Sequence, residues 1–248
     1  MPGSLSAPPS ETSLADRAYY SIRTLILKGT YGLGSTLVRR DLAEQLGMSI
    51  VPIAEALARL EAEGLVVNRP RVGTIVPVPT PAQIRGQWLV REALESQAAR
   101  LFARRASAEE RNKFWRKAEE FDLEDESLGA QAETDPETMF RHRWRHMEVH
   151  LQIAESASAV ELRKAIEQTH LKLFYWMHNR SLYDRPAPSR WHRNLAEVLC
   201  SGAEEEADAA MRAHVNDRLE ELMRNLEKFL TINVQRMNGA LGRQESRS

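Results

Sequence analysis

Arg40-Asp41-Leu42-Ala43-Glu44-Gln45-Leu46-Gly47-Met48-Ser49 decides how the first part of this chain folds. Residues 39–46 read as a short helix, and Gly47 stops it, because glycine enters the left-handed conformation that closes a helix at little cost. Ser49 can cap a further helix running to Glu63, with Pro52 in the tolerated first turn and Ile53, Leu57 and Leu60 on one buried face. Two short helices joined by a tight glycine turn make a helix-turn-helix candidate.

Upstream, Ala18, Ile22, Leu25 and Ile26 fall at helical spacing between Leu14 and Lys28, and Gly29 supplies a stop. Residues 30–36 hold Gly32 and Gly34 and read as a turn. Downstream, the β-prone runs Leu65 to Val67 and Thr74 to Val76 flank Asn68-Arg69-Pro70-Arg71-Val72-Gly73, a small hairpin or wing with two arginines near its tip. Pro77, Pro79 and Pro81 then punctuate the chain, and this stretch reads as a linker.

Past the linker Gly and Pro become scarce and the pattern is helical: 83–105, 108–121, 137–154, 159–178, 188–200 and 204 to about 234. The acidic residues from Asp122 to Asp135 read as a solvated connection. The expected organisation is a polar tail over 1–12, a winged helix-turn-helix over 13–78, a linker over 79–82, a helical domain over 83–235 and a frayed end over 236–248. The fold class is mainly α, a winged helix-turn-helix followed by a bundle of six or seven helices.

The 248 residues, 42% hydrophobic and 28% charged, are enough for two buried cores and exclude a disordered chain. No apolar run approaches the roughly 20 residues of a spanning helix, and residues 1–13 lack a charged-then-apolar signal pattern, so the expected location is the cytoplasm. The single cysteine, Cys200, excludes an internal disulfide framework and reads as a packing residue on a helical face with Leu195, Val198 and Leu199. A net charge of -1 does not advertise nucleic-acid binding, which must rest on motif and local charge.

The segment from Ala15 to Val76 resembles the winged helix-turn-helix of the GntR family of bacterial regulators. The resemblance lies in residues 40–49, Pro52, Glu55-Ala56-Leu57, Arg59-Leu60-Glu61-Ala62-Glu63-Gly64-Leu65 and Gly73. It implies that the exposed face of the third helix enters the DNA major groove while basic groups hold phosphates. The DNA-contacting candidates are Arg40 at a family contact position, Ser49 at a helix N-terminus that favours phosphate, Arg69 and Arg71 on the wing, and Arg39. Arg59 can add phosphate attraction or, following Glu55 by four residues, can pair with it. The chain departs from the family at Ile50 and Ala54, where arginine is usual, and each missing arginine removes a guanine contact worth about 1–3 kcal/mol of discrimination.

The stretch from Gln83 to Val215 resembles the FCD ligand-binding domain of the FadR-like branch of that family. The resemblance is carried by Val90-Arg91-Glu92-Ala93-Leu94-Glu95, by His146-Met147-Glu148-Val149-His150, and by His192-Arg193-Asn194-Leu195 with Gly202 and Ala209-Ala210-Met211-Arg212-Ala213-His214. In that family an Asp and three His hold a divalent metal. Carried over, the three are His150, His192 and His214, and His146 occupies the Asp position. His146 either supplies a fourth ligand or leaves a three-histidine site completed by water or effector. His146 and His150 share a helical face one turn apart, and imidazole ligands suit a transition metal such as Zn or Ni better than Ca or Mg. Arg91 matches the arginine that holds an effector carboxylate in the family; the alternative is a surface pair with Glu95. Trp144, Trp176 and Tyr175 are candidate pocket walls, and His142 is expected to be exposed.

Together these readings imply a homodimeric regulator binding a double-stranded DNA operator, without membrane association, whose helical domain takes a small carboxylate effector. Two alternatives stand beside it: a metal or ligand sensor with weakened sequence-specific DNA binding, and a metal-dependent hydrolase.

Overall fold

The computed structural model describes residues 12–128, 135–176 and 188–225. The expected tails over 1–12 and 236–248 (Thr12 apart), the connection over 129–134, the close of the seventh helix at 177–178 and the final helix beyond 225 lie outside the described residues. The described chain is mainly helical with one small sheet, and none of its helices is long and apolar enough to cross a membrane.

The winged helix-turn-helix forms as its local signals dictate. α1 (Leu14–Leu27) begins at Ser13, whose hydroxyl accepts from the Asp16 N–H while the Asp16 carboxylate accepts from the Ser13 N–H, a reciprocal cap. α2 (Arg39–Leu46) ends at Gly47 in the left-handed conformation, φ 62°. α3 (Ile50–Ala62) packs on α1, burying Ile53, Leu57 and Leu60 with Ile22, Ile26 and Leu27. Three short strands complete it: β1 (Thr36–Leu37), β2 (Val67–Arg69) and β3 (Gly73–Ile75), antiparallel in the order β1-β3-β2. Thr36 lies opposite Ile75 and Asn68 opposite Thr74.

Two local readings are corrected. The stretch 30–36 is not all turn, since Thr36 starts β1. The first strand of the wing starts at Val67 rather than Leu65, because the Leu65 and Val66 N–H groups both turn back to the Leu60 carbonyl and close α3.

α4 (Pro81–Arg105) starts inside the stretch expected to be linker. Thr80 caps it through Gln83, and Pro81 takes the first helical position, where its missing N–H costs nothing. α5 (Ala108–Leu128) runs past Phe121 and takes in the first part of the acidic stretch. α6 (Pro136–Ser156), α7 (Val160–Trp176), α8 (Trp191–Ser201) and α9 (Glu204–Asn216) follow, and residues 219–225 are again helical.

The chain divides into two compact units, Met1–Pro79 with Leu128–Glu148 and Lys164–His178, and Thr80–Ser127 with Val149–Arg163 and Asn179–Ser248. In the first, the helix-turn-helix also meets α6: the Lys28 ammonium donates to Glu137 at 2.8 Å and lies over the Phe140 ring. In the second, α4 packs along α9 and α8, with Trp88, Phe102, Phe114, Leu195, Leu199 and Met211 in its core.

Candidate functional site

The residues expected to contact DNA all lie on the helix-turn-helix surface. Arg39, Arg40, Ser49, Arg69 and Arg71 are exposed, and among the described residues none of these four arginines makes an ion pair or a side-chain hydrogen bond. Arg39 and Arg40 open α2, where the helix dipole disfavours a cation. Cations placed there without partners leave the surface ready for an anion. Ser49 precedes α3 and its side chain makes no capping bond among the described residues, so the first N–H groups of that helix remain available to a phosphate.

Arg71 occupies the third position of a turn closed by the Val72 N–H on the Arg69 carbonyl at 3.1 Å, with Pro70 second and φ 65° at Arg71. Glycine is the usual occupant of such a position. Arg59 does not pair with Glu55: it donates to Asp16 at 2.6 Å and lies over the Tyr19 ring, so it is held within the helix-turn-helix. The outward face of α3 carries Ile50, Val51, Glu55 and Ala58, with Ala54 half-buried, and no arginine other than the engaged Arg59.

In the second unit His150 from α6, His192 from α8 and His214 from α9 converge. Their ring centroids lie 5.0–5.9 Å apart. Each ring brings a nitrogen within 4.8 Å of the others. They are 1%, 1% and 6% exposed. The Phe121 ring packs edge-on against His192, and the Trp191 ring centroid lies 4.3 Å from that of His214. Trp144 and Trp176, expected as pocket walls, fall in the first unit, and the side chain of Tyr175 lies outside the described residues. His146 precedes His150 by one turn of α6, in the segment that belongs to the first unit; His142, expected to be exposed, is half-buried.

Two buried carboxylates orient the cluster. His150 Nδ1 stands 2.5 Å from Glu95 Oε2, and the other oxygen of that carboxylate accepts from Arg91 Nε at 2.7 Å. Arg91 and Glu95 are therefore paired, as one reading of the sequence had it, but inside the domain, with Arg91 over the Trp88 ring. His192 Nδ1 stands 2.9 Å from Asp122 Oδ1. Asp122 also accepts the His192 and Arg193 N–H groups, capping α8 from a different helix. Burial pushes the Asp122 carboxyl up, but these hydrogen bonds outweigh it and leave its pKa below the ordinary value. His214 is held well below the ordinary imidazole pKa by burial first, then by His192, His150 and Arg91, against the opposing pull of Glu95.

With Nδ1 of two rings engaged by carboxylate, Nε2 is the nitrogen those rings offer inward. His214 Nε2 is buried and has no hydrogen-bond partner among the described residues. A buried polar atom without a partner calls for one, and neutral imidazoles backed by carboxylates are how proteins present ligands to a transition metal. The residues present fit a divalent metal. Neither Asp122 nor the bridging role of Glu95 was legible in the sequence; the one signal for Asp122 was a helical phase (Phe114, Ala118, Phe121) running on into the acidic stretch.

Residues 14–76 match the model of the bacterial regulatory proteins of the gntR family, and residues 88–217 match that of the FCD domain. The chain belongs to the GntR family, with an FCD domain. This is a family of transcriptional regulators rather than enzymes. The GntR protein described here is 38% identical over 90 residues to an uncharacterized HTH-type transcriptional regulator in the TAR-I ttuE-ttuC' intergenic region of Agrobacterium vitis, covering 36% of this chain and 53% of that one. It is 28% identical over 208 residues to the "Probable D-xylose utilization operon transcriptional repressor" of Paenarthrobacter nicotinovorans, covering 83% and 87%. The chain thus spans about half the length of the first of these relatives. Its fold is similar to that of McbR/YncC of E. coli, with a TM-score of 0.68, 22% identity and coverage of 86% and 98%.

Proposed function

We propose that this GntR protein regulates transcription as a homodimer on a double-stranded operator, and that His150, His192 and His214 hold a divalent transition metal, Zn or Ni, beside which a small organic acid binds. The observation that carries the metal reading is the pair of buried carboxylates, Glu95 and Asp122, each on the Nδ1 of a converging histidine. Bound there, the metal would act as a Lewis acid that holds an oxygen of the effector. His146, one turn before His150, is the fourth imidazole that the sequence offers.

Arg91 gives the effector its charge preference. A guanidinium has five donors in one plane, so the bond from Nε to Glu95 leaves an edge for a carboxylate. An acid seated on Arg91 competes with Glu95 and thereby touches the residue that orients His150. The effector regulates only through unequal affinity for the two arrangements of the dimer. Exposed Arg39, Arg40, Arg69 and Arg71, without an ion pair among the described residues, support the operator reading.

Metal analysis of purified protein tests the centre: wild type carries Zn or Ni in stoichiometric amount, and His150→Ala and His214→Ala lose it. Wild-type metal content in both variants overturns the metal reading. A gel shift with the DNA upstream of the chain's own gene tests the regulator: binding that is salt-sensitive and indifferent to sequence overturns it.

A further inference from the structure

We infer that the first turn of α3 reads thymine: Ile50 and Val51 contact the C5-methyl groups of A·T pairs in the major groove, so the operator carries thymine under this turn. The inference rests on the operator reading above and names the base that it recognises.

Ile50 and Val51 are 52% and 65% exposed. Single exposed apolar residues are ordinary, and the chain has others, among them Leu89 and Val160. Position sets these two apart. They are neighbours in the first turn of the helix that a helix-turn-helix lays in the major groove. The same helix-turn-helix carries exposed cations suited to the DNA backbone, Arg39 and Arg40 on the preceding helix and Arg69 and Arg71 on the wing, none of them in an ion pair among the described residues, which favours DNA as the occupant of this face.

A side chain that can neither donate nor accept gains nothing from the edge of guanine or cytosine. Against such an edge it strips water from polar atoms and leaves them unpaired, which counts against G·C. The thymine methyl is the one apolar feature the major groove displays. Ile50 and Val51 are both β-branched, offering two methyl-bearing arms with few rotamers to freeze on binding. One turn further on, Glu55 is exposed on the same side. As an acceptor it suits the amino group of adenine or cytosine. The face therefore selects against guanine where an arginine would select for it.

Full-length protein is used to select sites from a random duplex pool, and each thymine of the enriched site is replaced singly by deoxyuridine, which removes only the methyl. The expected result is one or more positions per half-site at which deoxyuridine weakens binding about fourfold, the factor for one methyl-sized apolar group. That penalty vanishes in Ile50→Ala or Val51→Ala, both surface changes that leave the fold intact. Ile50→Arg moves the selected base at its position towards guanine. An enriched site at which no deoxyuridine matters, or at which the penalties persist undiminished in both alanine variants, overturns the thymine reading and leaves the operator reading standing. A pool that shows no enrichment overturns both.

Discussion

Asp122 Oδ1 stands 2.9 Å from His192 Nδ1, and the same carboxylate closes the N-terminus of the helix that carries His192. One side chain therefore sets both the direction of an imidazole and the start of its helix. Asp122→Asn keeps the volume and loses the charge. Loss of a carboxylate behind a ligating histidine typically costs about 10- to 100-fold in metal affinity. Competition with a chromophoric chelator reads this directly, and an unchanged affinity would show that His192 takes no part in binding.

His214 sets a pH dependence. Its folded pKa lies well below 6.5 while the unfolded chain keeps the ordinary value, so below about pH 6.5 the unfolded state binds the proton that the folded state refuses. Stability from this group is complete above that pH and falls as pH drops, by at most about 1.4 kcal/mol per pH unit. Urea midpoints of metal-free protein between pH 7.5 and 5.5, compared with His214→Gln, check it: the variant should show the shallower slope.

Much of the fold was legible because its signals are local. Gly47 and Ser49 mark the turn and start of adjacent helices whatever the rest of the chain does, and α2 occupies the expected residues. What was not legible depends on partners far along the chain. β1 exists only because Thr36 and Leu37 meet Ile75 and Thr74, and no two-residue run announces that. Asp122 lies in an acidic segment whose composition reads as solvated, but α5 carries it inward to a histidine 70 residues away. The histidines were legible through their spacing and their family positions; the carboxylates that orient them were visible only once the helices had packed.

Arg111 holds two helix ends. Its guanidinium donates to the Ala103 and Ala106 carbonyls at the end of α4 and to Cys200, with a longer bond to Leu199, at the end of α8. These are the orphan acceptors that every helix leaves, and a charged donor to each is worth more than a neutral one. Arg111→Ala should destabilise the protein by about 3 kcal/mol, measured by urea unfolding, and should leave the DNA affinity of the folded fraction unchanged. A loss within measurement error would mean that water replaces the guanidinium at both ends.

If Arg71 contacts DNA as proposed, it couples stability to binding with opposite sign. Its φ of 65° places a side chain in the left-handed region, where a non-glycine residue is strained by about 1 kcal/mol or more. Pro70 fixes the turn before it, so the strain cannot be shed by rearranging that residue. Glycine at this position removes the strain at the cost of greater freedom in the unfolded chain. Arg71→Gly should therefore raise stability by up to about 1 kcal/mol while weakening operator binding and lowering the salt slope by about one unit, the signature of one lost phosphate contact. Arg71→Ala separates the two effects: it keeps the strain and loses the charge, so it should bind as weakly as the glycine variant with no gain in stability. If both variants bind DNA like wild type, the strained arginine serves neither the wing's shape nor its contact with DNA.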